Sequence, residues 1–121
     1  MIVGRVTDLQ GRVEITFRLP GQPDRTIACV LDTGFQGELA LPPAAVAALG
    51  LSAGGRMWAS LADDSDVPVP LFHAVIDWDE RDVEITVMAL GSRPLLGAEL
   101  LQGFNLSADF EEDGELVLTA L

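Results

Sequence analysis

Val13, Ile15 and Phe17 alternate with Glu14, Thr16 and Arg18, and a period of two places the first set on one face of a strand and the second on the other. Val83-Glu84-Ile85-Thr86-Val87 repeats the pattern in its cleanest form. Short β-branched runs recur along the chain with turn residues between them at intervals of about ten residues, which predicts an all-β sandwich or barrel. Strands are expected over 2–6, 13–19 and 26–31. The first two are joined by Asp8-Leu9-Gln10-Gly11, and the third follows the breaker Pro20-Gly21-Gln22-Pro23-Asp24. Residues 56–61 and 67–78 predict a long hairpin with a polar tip over 62–66. A strand over 83–90 is entered through a turn at 79–82, and 106–110 with 116–121 predicts a closing hairpin. Pro42-Pro43 ahead of residues 44–49, with Gly50 just beyond, predicts a short helix. A second is expected over 98–102.

No linker, low-complexity segment or repeated motif interrupts the pattern, so residues 1–121 read as one domain. With 49% hydrophobic residues the chain can build a core. Its net charge of −12 repels phosphate backbones and anionic headgroups, which argues against nucleic acid and membrane partners. The acids are spread along the chain and read as a solvated surface. Among them Asp77, Asp79, Glu80 and Asp82 lack the spacing of a calcium loop. His73 is the only histidine, too few for a multi-histidine metal site, and reads as a hairpin residue. Trp58 and Trp78 read as packing residues. Cys29, the only cysteine, lies in an apolar run and reads as a buried, inert thiol. No apolar run approaches the roughly 20 residues that span a bilayer, so a soluble, cytoplasmic protein is expected.

The run Ile27-Ala28-Cys29-Val30-Leu31 leads directly into Asp32-Thr33-Gly34, placing a carboxylate at the end of a buried strand. The glycine two residues on lets the backbone come close to a ligand or partner. Far downstream, Leu95-Leu96-Gly97 puts two apolar residues and another glycine where a loop meets a short helix. Taken alone, the triplet also fits a strand-ending turn.

In this order, apolar strand, Asp32-Thr33-Gly34, long hairpin, Leu95-Leu96-Gly97 and short helix, the chain resembles the retropepsin-like (retroviral-type) aspartic proteases in their single-domain, bacterial-type form. The resemblance covers nearly the whole chain. It implies an acid-protease half-barrel with a flap hairpin and one or two short helices, and aspartic endopeptidase activity on a peptide or protein substrate. Only one triplet is present, so it further implies a homodimer in which each subunit gives one catalytic Asp32. As is general for aspartic protease dyads, carboxylates about 3 Å apart share a proton because both cannot easily ionise. One Asp32 takes a proton from the lytic water, and the protonated partner polarises the scissile carbonyl. No metal and no organic cofactor is implied.

The same resemblance gives Thr33 a hydrogen bond across the dimer axis, Gly34 a backbone contact to substrate, and Leu96 and Gly97 a place packed behind the loop. It puts Ala62, Asp63 and Asp64 at the flap tip, near bound peptide. The chain ends, 1–6 and 116–121, form the intersubunit sheet in that family; the sequence leaves open whether they pair within one chain here. Two features depart from the pattern. Phe35 stands beside the substrate position where a small residue is usual, either narrowing the cleft or packing beneath it. The acids at the hairpin tip disfavour acidic peptides. Phe35 also motivates the alternative of a non-catalytic dimeric module that binds peptides or proteins on the same scaffold. An acidic interaction protein of another β fold is a third reading.

Overall fold

The structure is a computed structural model that describes residues 1–60 and 62–121. Leu61, expected in the long hairpin, lies outside the described residues. The elements in chain order are β1 (Ile2–Thr7), β2 (Gln10–Arg18), β3 (Arg25–Leu31), β4 (Leu39–Leu41), α1 (Pro43–Leu49), β5 (Ser52–Ser60), β6 (Asp66–Trp78), β7 (Arg81–Ala89), β8 (Leu95–Leu96), α2 (Ala98–Leu101), β9 (Phe104–Ala108) and β10 (Gly114–Ala120). Among the described residues the protein is all-β with two short helices. All ten strands join one sheet in the order β5-β6-β7-β4-β8-β3-β2-β1-β10-β9. The sheet is not a barrel, since β5 and β9 are left as edges. A second pairing of β2 with β6, through Thr16↔Asp77 to Arg18↔Val75, folds it over the core.

The alternating strands bury their apolar faces. Val13, Ile15 and Phe17 are at most 1% exposed, and they join Ile76, Ile85, Val87, Leu96 and Leu118 in the main core cluster. Trp78 closes that cluster edge-on against Phe104, with ring centroids 5.5 Å apart, a geometry favoured by the ring quadrupoles. Helix α1 begins behind Pro42 and ends at Gly50, whose left-handed conformation returns its N–H to the last turn.

The structure moves several expected boundaries. Asp8 and Leu9 both take positive φ (53° and 60°), making a two-residue turn that matches strand twist, so β2 starts at Gln10. Asp79 and Glu80 do the same between β6 and β7. Gly54-Gly55 forms a bulge between Ala53 and Arg56, and β5 therefore begins at Ser52, ahead of the expected 56. Strands β4 and β8 were not expected. Both are too short for periodicity to register, and they are held by neighbours on each side: β4 runs parallel to β7 and antiparallel to β8, while β8 runs parallel to β3. The chain ends pair within the molecule, with β1 against β10 from Ile2↔Leu118 to Val6↔Gly114, and β9 lies outside β10.

Candidate active site

Strand β3 ends at Leu31, and the next residue continues its parallel pairing with β8: the backbone N–H of Asp32 donates to the Leu96 carbonyl at 2.9 Å. The chain then turns. The Phe35 N–H donates to the Asp32 carbonyl (3.1 Å), and the Gly34 N–H donates to Asp32 Oδ1 (2.9 Å). One carboxylate oxygen is thereby fixed by its own loop, a short-range pattern natural to Asp. Asp32 is half-buried, while Thr33 and Gly34 are exposed. Among the described residues the Thr33 hydroxyl has no hydrogen-bond partner.

The loop is laced to the segment after β8. Gly97 N–H donates to the Glu38 carbonyl (2.9 Å) and Ala98 N–H to the Phe35 carbonyl (2.8 Å). Glu38 in turn accepts the Thr86 N–H at Oε1 (2.9 Å), tying the loop to β7. This lacing explains the glycines. A Cβ on Gly97 would lie 2.1 Å from the Gly37 carbonyl oxygen and 2.7 Å from that of Phe35, and one on Gly37 would strike the Phe35 ring at 2.6 Å. Gly34 is a milder case: its φ is not positive, and a Cβ would sit 3.2 Å from Asp32 Oδ1.

The turn separates two open clefts. Asp32 and Thr33 line a cleft of about 680 Å³ together with Leu9, Arg93, Leu106 and Phe110. Gly34 and Phe35 line another of about 670 Å³ with Met57, Leu71, Met88 and Leu90. Phe35 is half-buried over Gly37 and Gly97 and packs on the small apolar cluster of Ala40, Val69 and Met88. Its ring is a wall of the second cleft.

Asp32, Thr33, Gly34, Phe35, Leu96 and Gly97 are thus brought together, with Leu96 fully buried behind the loop. Ala62, Asp63 and Asp64 are not. They sit at the exposed hairpin tip, and the hairpin residues that line the cleft are Met57, Ala59, Ser60 and Leu71. The tip acids shape their own turn. Asp63 Oδ1 accepts the Ser65 hydroxyl (2.6 Å) and N–H (3.0 Å), Asp64 takes a positive φ, and Asp66 accepts the Ser60 hydroxyl (2.9 Å). The Ser65 hydroxyl first and its N–H second hold the Asp63 carboxyl below the usual range.

Other assignments divide in the same way. Trp78 is core, but Trp58 is 67% exposed on β5, so it is not a packing residue; an edge strand with no layer over it leaves one face in water. Cys29 is fully buried, and burial pushes its thiol up to about 12. Asp77 and Asp82 are engaged by Arg18, which also pairs with Asp24. Among the described residues no group of acids, histidine and cysteine is placed to hold a metal ion, and no helix is long and apolar enough to cross a membrane.

Fold and site together define a class: an all-β chain presenting one carboxylate at a strand end, between two open clefts. The chain matches no family model, no curated protein and no solved structure.

Proposed function

We propose that the chain is an aspartic endopeptidase of the retropepsin-like type, active as a homodimer in which each subunit contributes Asp32. The observation that carries this reading is the suspension of Asp32 from the Leu96 carbonyl by parallel pairing of β3 with β8. That pairing unites the two motifs that sequence separation keeps apart, and it points a half-buried carboxylate into an open cleft. The laced glycines at 34, 37 and 97 support it, because a rigid loop holds a catalytic group at fixed geometry without reorganisation during reaction. The Thr33 hydroxyl, which has no partner among the described residues, supports it too, being available to a partner loop.

In this mechanism two Asp32 carboxyls share one proton. The ionised one deprotonates water as it attacks the peptide carbonyl, and the protonated one donates to the carbonyl oxygen. The peptide's scissile bond crosses the turn to reach the two carboxyls, while its neighbouring side chains enter the apolar cleft of Phe35, Met57, Leu71, Met88 and Leu90, which selects apolar side chains. Phe35 does not stand against this reading, since its ring packs over Gly97 and lines the cleft on the far side of the turn from Asp32.

The test is cleavage of a peptide library from pH 4 to 7 by the wild type beside Asp32→Asn, with products identified by mass. Asp32→Asn is expected to remove all cleavage and keep the fold. Equal cleavage by both proteins sinks the mechanism.

A further inference from the structure

We propose that β9 is the seam of a homodimer: the free β9 edges of two copies lie antiparallel about a two-fold axis, and Leu9, Leu106 and Phe110 close on the partner beside Asp32. The choice of a second copy as occupant rests on the dimeric protease reading. The choice of surface rests on observations of its own.

The sheet has two edges, and they are treated differently. In its first half, edge strand β5 carries a bulge between Ala53 and Arg56, a left-handed Gly55 and a charged Arg56, devices that discourage another strand from pairing there. Edge strand β9 reads Phe104-Asn105-Leu106-Ser107-Ala108, with no charge, no proline and an unbroken register against β10. In a chain with 21% charged residues, an unguarded edge is one that is meant to be covered.

Apolar side chains gather at this edge. Leu9 is 73% exposed, Phe110 66% and Leu106 40%, and all three line the cleft that holds Asp32 and Thr33. Singly exposed apolar residues are ordinary, but a group around one cleft marks an interaction surface. The same cleft holds Arg93, and the exposed acids Asp109 and Glu111 flank Phe110, so the face offers both signs of charge to a second copy.

The occupant follows from what the cleft lacks. A dyad needs a second carboxylate of the same kind, and a copy docked on this face brings its own Asp32 to it. Antiparallel pairing of identical strands is two-fold symmetric, so the contact closes at two chains and leaves no sticky end. The strands at the chain ends are unsuited to the role, because β10 is already paired on both sides.

The experiment is sedimentation velocity over a concentration series for the wild type, Leu106→Glu, Phe110→Glu, and Trp58→Glu on the opposite edge. Circular dichroism and urea midpoints verify that each is folded. The wild type is expected to be a dimer. Both β9-side variants are expected to weaken it by about a hundredfold or more, and Trp58→Glu to leave it unchanged. Phe110→Ala, which adds no charge, is expected to weaken it by about tenfold. A wild type that stays monomeric throughout, or a dimer indifferent to Leu106→Glu and Phe110→Glu, overturns the seam. Cleavage separates this outcome from failure of the protease reading. A dimer that splits with these variants but cleaves no peptide keeps the seam, whereas cleavage by a dimer indifferent to them keeps only the chemistry.

Discussion

The backbone N–H of Asp32 and the carbonyl of Leu96 meet at 2.9 Å, and the Leu96 side chain is completely buried. The candidate catalytic carboxylate therefore hangs from the core rather than from a surface loop. Any change that shifts β8 moves Asp32 with it, so stability and the position of this carboxylate are coupled at this point.

Gly97→Ala is the sharpest test of that coupling. Its methyl group would meet two backbone oxygens, at 2.1 and 2.7 Å, and neither belongs to a flexible side chain. The variant is expected to lose about 2–4 kcal/mol of stability through overpacking, read from urea unfolding, and to lose cleavage with it. Wild-type stability in Gly97→Ala would show that the loop is not packed against β8 as described.

Cys29 provides a probe of the core. With its thiol pushed up to about 12 from an ordinary 9.0, the thiolate fraction at neutral pH falls by roughly a thousandfold. Ellman's reagent is expected to leave the native protein unmodified and to react at once in denaturant. The stability linked to the neutral buried thiol is complete below pH 9.0 and is lost as pH rises toward about 12. Rapid labelling at pH 7 under native conditions would contradict the burial.

Ser65→Ala tests the hairpin tip. Asp63 is depressed by its two hydrogen bonds from Ser65, so it favours the ordered turn above its unfolded value, and this contribution is lost as pH falls through the depressed one. Removing the hydroxyl deletes the larger cause, and carboxyl titration followed by NMR is expected to move Asp63 upward. An unmoved titration would mean that the turn is not closed by this pair.

Glu80→Gly addresses backbone strain. Glu80 sits at φ 66° in the two-residue turn between β6 and β7, where a side chain costs about 1 kcal/mol or more and glycine is at ease. The variant is expected to raise stability by about 0.5–1 kcal/mol in chemical denaturation, net of the extra freedom glycine brings to the unfolded chain. A loss of stability would contradict the turn geometry.

Much of this architecture was legible in the sequence because two strong periodic runs, around Ile15 and Ile85, bury one face each. Asp32-Thr33-Gly34 and Leu95-Leu96-Gly97 were legible as local motifs. What joins them was not, since β4 and β8 are two or three residues long and exist only because buried neighbours pair with them. The cleft wall was hidden for a related reason: Phe35, Met57, Leu71 and Met88 come from four separate segments, and no local pattern groups them. Gly37 carried a usable signal, a second glycine three residues after Gly34, whose purpose became apparent only with the Phe35 ring beside it. Trp58 departs from the packing expectation because an aromatic residue on an edge strand has the same sequence appearance as one on an inner strand.

The pairing of β1 with β10 bears on how the protein is made. Residues Ile2 to Gly4 find their partners in Leu118, Val117 and Leu116, and β2 engages β1 only from Arg5 onward. On a ribosome the first strand emerges more than a hundred residues before its partner, a wait of roughly 5–20 s at synthesis rates of about 5–20 residues per second. For that interval its unpaired edge is open to chaperones or to a neighbouring nascent chain, and the sheet closes only after β10 has left the exit tunnel.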